Sequence, residues 1–141
     1  MRYCRRMVGF RTSPPCRTVR NLRLVALFAW SSALVVLSLG PEVRAPAGLQ
    51  VWDKFSHFAA YAVLALLLLR TLLIWQEISP RLRLITWLAC MAYGLLLEAL
   101  QWLMAAGRQW ESGDLLANGC GALAVCVLFR HVCVRASIHG P

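Results

Sequence analysis

The pattern of apolar and polar positions divides the chain into four long apolar stretches separated by short polar ones. The stretches cover about 22–40, 53–75, 84–104 and 112–134. At about 1.5 Å of rise per residue, each is long enough as a helix to cross a hydrocarbon layer ~30 Å thick. The pattern therefore predicts an all-α membrane protein, a bundle of four transmembrane helices. The apolar run of the first stretch exceeds the roughly 7 to 15 residues of a signal-peptide core, so it reads as an uncleaved signal anchor. Ala45-Pro46-Ala47 keeps cleavage open as the alternative.

Polar residues interrupt the last three stretches at helical spacing. Gly94, Glu98 and Gln101 stand at i, i+4 and i+7; Asp53, His57 and Tyr61 at i, i+4 and i+8; Asp114, Asn118 and Gly121 follow the same logic. A charged side chain deep in a membrane helix costs roughly 2.5 to 3.5 kcal/mol on insertion scales, so Glu98 marks a candidate functional site.

Composition agrees with the pattern. Of 141 residues, 60% are hydrophobic and 15% charged, and the mean hydropathy is +0.61, too apolar for an ordinary soluble domain. The net charge of +9 is carried by arginines beside the apolar stretches, not by a basic patch interleaved with aromatics, which argues against nucleic-acid binding. Residues 1–21 contain Arg2, Arg5, Arg6, Arg11, Arg17 and Arg20, no acid, and the pair Pro14-Pro15, and read as a disordered cytoplasmic tail. Arg81 and Arg83 fall between the second and third spans, and Arg130 and Arg135 near the end of the fourth, where 135–141 form a short tail. The positive-inside rule then places both termini in the cytoplasm. Trp52, Trp75, Trp87 and Trp102 fall near span ends, as an aromatic belt requires, whereas Trp30 is mid-span.

In this topology the polar positions gather on the extracytoplasmic side. His57 and Glu98 are candidates for proton exchange. Lys54 and Arg108 would meet anionic groups, and Asp53, Tyr61, Gln101, Asp114 and Asn118 complete the expected ligand-binding set. Structural readings stand beside these. Asp53 suits a helix N-terminus, Glu98 and Arg108 could form an ion pair, Asn118 and Gln101 could join helices, and Gly94, Gly119 and Gly121 suit close packing. Asp53, His57, Glu98 and Asp114 are acceptable metal ligands, but no closed zinc or calcium spacing occurs, so neither a metal nor a cofactor is expected. The six cysteines form no Cys-x-x-Cys pair and read as apolar filler. Phosphate-loop and nucleophile-elbow motifs are absent, which leaves enzymatic activity undecided.

The motifs Asp-Lys-x-x-His-Phe-x-x-Tyr at 53–61, Tyr-Gly-x-x-x-Glu-x-x-Gln at 93–101, Arg108, and Asp-Leu-x-Ala-Asn-x-x-Gly at 114–121 resemble the VanZ-like family of membrane proteins. The resemblance covers about 51–125. It implies a small multi-pass protein of the bacterial cytoplasmic membrane, in a family associated with low-level teicoplanin resistance and without an established biochemical activity. Its implication is thus cell-envelope context and a link to antibiotic resistance, not a reaction. The arginine-rich tail and the Gly-Arg-Gln-Trp-Glu-Ser segment depart from the family pattern. The leading expectation is a polar pocket among the last three spans that engages a lipid headgroup, a lipid-linked envelope precursor or a glycopeptide-like ligand. A small proton-coupled transporter and a non-catalytic assembly protein are the alternatives. Membrane lipids are the expected partners, and the oligomeric state is left open.

The charge asymmetry makes one prediction. Reporter domains fused at residues 48 and 109 should behave as extracytoplasmic, and a cytoplasmic readout at either would reverse the topology.

Overall fold

The computed structural model describes residues 17–39, 50–104 and 112–138. They form four helices: α1 (Arg17–Leu39), α2 (Gln50–Leu72), α3 (Pro80–Met104) and α4 (Ser112–Ile138). All four are long and apolar enough to cross a membrane. The fold class expected from the sequence is the one observed.

Local chemistry sets where α3 begins. Ser79 Oγ accepts a hydrogen bond from the Leu82 N–H at 3.1 Å, and the Ser79 carbonyl accepts one from the Arg83 N–H at 3.2 Å. Ser79 is therefore the N-cap, with Pro80 at the first helical position, where its missing N–H costs nothing. Arg81 and Arg83 consequently belong to the first turn of α3, whereas the apolar pattern put them between the second and third spans. Arg83 donates from Nη1 to the Cys126 carbonyl at 3.4 Å, and the Cys126 thiol donates back to the Arg83 carbonyl at 3.5 Å. At the end of α2, Arg23 Nη1 donates to the Arg70 carbonyl at 2.9 Å, satisfying one of the acceptors that a helix C-terminus leaves open.

The helices alternate in direction. α2 and α3 form the middle of the bundle, α4 packs on both from one side and α1 from the other, and among the described residues α1 and α4 do not meet. The most extensive packing joins α2 to α4, which run parallel, so the N-terminal ends of both lie at the same end of the bundle as the C-terminal ends of α1 and α3. The core includes Leu34 of α1, Tyr61, Leu64, Ala65 and Leu69 of α2, Leu82, Cys90 and Leu97 of α3, and Ala122 and Cys126 of α4. Leu22, Phe28, Val36 and Leu37 of α1, Leu96 and Leu103 of α3 and Leu116 and Leu128 of α4 are exposed, forming a surface suited to lipid tails.

Hydrogen bonds to backbone carbonyls tie the apolar helices together. Trp30 Nε1 donates to the Ala60 carbonyl at 3.1 Å, Tyr93 Oη to Ser31 at 2.7 Å, and Trp87 Nε1 to Gly119 at 3.0 Å. Trp30 is thus mid-span because its indole N–H has a partner on α2. Trp87 joins α3 to α4 instead of serving the aromatic belt. Ser31, Thr71 and Thr86 return their hydroxyls to carbonyls four residues back, so no water is needed.

Glycine permits the tight pairing of α2 and α4. A Cβ built on Gly121 would overlap the Phe58 carbonyl oxygen and lie 2.9 Å from its carbonyl carbon, and a backbone atom cannot move aside. At Gly113 the obstacle is the Lys54 ammonium at 2.8 Å, the far end of a flexible side chain. Gly121→Ala should therefore destabilise the purified protein by about 1 to 3 kcal/mol or more, the cost of overpacking a filled site. Gly113→Ala should stay within about 0.5 kcal/mol of the parent. Thermal unfolding of both variants in one detergent checks the ordering; equal transitions would show that α2 and α4 can separate without cost.

Candidate functional site

The candidate site is built where α2 and α4 begin. Asp53 lies in the first turn of α2 and Asp114 in the first turn of α4, where a carboxylate is stabilised by unpaired N–H groups and by the positive end of the helix dipole. Because the two helices start side by side, Lys54 Nζ reaches Asp114 Oδ1 at 3.2 Å. One turn deeper, His57 Nδ1 is 3.2 Å from Asn118 Oδ1, and His57 Nε2 is 3.9 Å from Asp114 Oδ2. One donor atom from each of Asp53, His57 and Asp114 lies within 4.8 Å of the other two.

Burial rises along each polar stripe. Asp53 and Lys54 are exposed, His57 is intermediate, and Tyr61 is 3% exposed; on α4, Asp114 is intermediate and Asn118 is 2% exposed. The polar positions are therefore one layer graded from solvent into the core. Gly94 lets α3 close this layer from the side: a Cβ there would come within 3.1 Å of Asn118 Nδ2 and 3.2 Å of Tyr61 Oη. Asn118 is consequently packed against groups from both neighbouring helices, with its carbonyl oxygen toward His57.

The stripe on α3 faces the bundle, as its spacing predicts. Thr86, Cys90, Gly94, Glu98 and Gln101 are all buried. Glu98 is 8% exposed, is partnered, and lies close enough to Tyr61 for the two to interact electrostatically. Gln101 donates from Nε2 to the Ser38 carbonyl at 2.6 Å, so its amide joins α3 to α1. The site thus brings Asp53, Lys54, His57, Asp114 and Asn118 together, with Tyr61 beneath them. Gln101 is directed elsewhere. Arg108, Trp110 and Glu111 lie outside the described residues.

A recess of about 400 Å³ lined by Arg17, Thr18, Asn21, Leu22 and Val25 lies at the other end of the bundle, away from this chemistry. The polar groups of the site instead meet one another directly. The contacts of Trp87 with Gly119 and of Tyr93 with Ser31 carry no sequence signal, because an aromatic residue in a membrane helix has the same local pattern whether it faces lipid or a carbonyl.

The model of the VanZ/LLP1 family matches residues 7–134, nearly the whole chain. The chain belongs to the VanZ/LLP1 family. With four apolar helices of spanning length, this VanZ/LLP1 protein is a multi-pass protein of the bacterial inner membrane. No curated protein and no solved structure matches it.

Within this VanZ/LLP1 bundle the buried and exposed contacts should differ in weight. Asn118→Ala removes the partner of His57 Nδ1 in a buried layer and should destabilise by about 1 to 3 kcal/mol. Lys54→Ala breaks an ion pair whose lysine side chain is 47% exposed, and should cost under about 1 kcal/mol. Thermal unfolding of the two variants tests the order; a larger loss for Lys54→Ala would place the structural weight of the site at its rim.

Proposed function

We propose that this protein engages the polar headgroup of a lipid, a lipid-linked envelope precursor or a glycopeptide-like ligand at the outer leaflet of the bacterial inner membrane. The observation that carries the reading is the meeting of Asp53, Lys54, His57, Asp114 and Asn118 at one end of the bundle, at the level of an aromatic rim. Trp52 and Phe55 stand exposed beside Asp53, in edge-to-face contact with ring centroids 6.3 Å apart, and exposed Trp102 follows Gln101 at the same end of α3. Exposed aromatic side chains of this kind sit at headgroup depth, where a polar cluster meets lipid headgroups and not acyl chains.

The chemistry suits an anionic or hydrogen-bonding ligand. Two parallel helices direct the positive ends of their dipoles to this face, and Lys54 adds a half-exposed ammonium that a ligand phosphate would share with Asp114. Arg108, a ligand-binding candidate of the sequence, would meet the same anion. His57 and Glu98 hold the positions for proton exchange. The extracytoplasmic placement of this face rests on the arginine asymmetry of the chain.

Native mass spectrometry of the purified protein tests the reading. The parent should retain anionic or pyrophosphate-linked lipids, and Lys54→Ala and Arg108→Ala should lose most of them while remaining folded. Glu98→Gln should keep normal abundance in the membrane but lose the envelope phenotype of the parent, such as altered glycopeptide susceptibility. Equal lipid retention in the parent and in both cation variants would refute headgroup binding here. A phenotype intact in Glu98→Gln would remove Glu98 from the function.

A further inference from the structure

The side chains gathered around His57 are a ligand set for a cation. Asn118 Oδ1 lies 3.2 Å from His57 Nδ1, so Nδ1 carries the hydrogen and donates it. His57 Nε2 then lies toward Asp114 Oδ2 at 3.9 Å, with Asp53 beside both. An imidazole nitrogen and two carboxylates from two helices thus share one small volume. Lys54 Nζ lies 3.2 Å from Asp114 Oδ1.

We propose that Asp53, His57 and Asp114 form a binding site for a divalent transition-metal cation of the zinc or manganese class. Two independent features support it. The first is spacing: with metal–ligand bonds of about 2.0 to 2.2 Å, two ligand atoms of one tetrahedral ion stand roughly 3.3 to 3.6 Å apart. The 3.9 Å between Nε2 and Oδ2 exceeds this by a few tenths of an ångström, within reach of a small rotation of the Asp114 carboxylate. The widest separation, 4.8 Å, closes with a small swing of Asp53, which is exposed on the first turn of α2. The second is the surrounding shell. A metal-bound histidine characteristically donates its other ring N–H to a fixed oxygen acceptor, which sets the tautomer and aims the free nitrogen. Asn118, 2% exposed and packed between Tyr61 and Gly94, is such an acceptor. One imidazole nitrogen with two carboxylate oxygens favours zinc or manganese over calcium, which prefers oxygen alone.

The sequence offers these ligand types but no closed ligand spacing, because the site's members come from two helices, with Asp114 far along the chain from His57. The remaining coordination positions would be taken by water or by an anionic oxygen of a ligand. That last use rests on the headgroup reading above, whereas cation binding itself does not.

The test uses the full chain in detergent, stripped with a chelator and dialysed. Free Mn²⁺ is followed by its electron paramagnetic resonance signal, and Zn²⁺ is added as a competitor. The parent should take up one equivalent of Mn²⁺, displaced by Zn²⁺ and not by equal Ca²⁺. Asp53→Asn and Asp114→Asn should each weaken binding at least about tenfold, and Asn118→Ala, with all ligands intact, by about 10- to 100-fold. Asp53→Asn keeps the test valid if a deeper variant fails to fold, since Asp53 is exposed. Cys120→Ser should leave binding unchanged, because the exposed Cys120 thiol is no ligand. Absence of a one-equivalent phase in the parent would overturn the proposal, as would binding that survives both aspartate substitutions or that Ca²⁺ displaces equally. Each is read without lipid, so failure here leaves the lipid-retention test standing.

Discussion

The site end of this bundle depends on the absence of a side chain at Gly121. Between membrane helices there is little hydrophobic gain, since lipid tails are as apolar as leucine, and association rests on close packing and hydrogen bonds. Gly121 brings the α4 backbone against the Phe58 carbonyl of α2, and this approach makes the two parallel helices start side by side. Lys54 then reaches Asp114, and His57 reaches Asn118. A larger residue at 121 would part α2 from α4 at the level where the polar pairs meet.

A second constraint is the cost of unpaired polar groups away from water. The chain meets it in two ways. Hydroxyls at Ser31, Thr71 and Thr86 bond to their own helices, while Trp30, Trp87, Tyr93 and Gln101 donate across to carbonyls of neighbouring helices. These cross-links fix the register of α1 on α2 and α3 and of α3 on α4. α1 has the least buried surface of the four, with Leu34 as its one buried residue among those described, and is held largely by such bonds.

Aligned in this way, the polar stripes of α2 and α4 form a layer graded from exposed Asp53 and Lys54 to buried Tyr61 and Asn118. Acidic groups at the rim gain from the helix dipoles, and the amide of Asn118 in the floor orients His57. The polar layer is thus a consequence of one parallel pairing.

The sequence by itself determined the four helices, because hydropathy over a span of fixed length is a local property that lipid enforces on every backbone group. It also determined which residues share a face: the spacing of Gly94, Glu98 and Gln101, and of Asp53, His57 and Tyr61, is that of a helix whatever surrounds it. The motifs of the VanZ/LLP1 family were likewise legible, being contiguous in the chain. What only the tertiary structure decided is which stripes meet. The pairing of α2 with α4 directs Asp114 to Lys54 and His57, the packing of α1 takes the Gln101 amide to Ser38, and the Ser79 cap draws Arg81 and Arg83 into α3. Periodicity fixes a face but not its neighbour. The neighbour follows from close approach at single glycines and from the geometry of individual donors and carbonyls, neither of which appears in hydropathy.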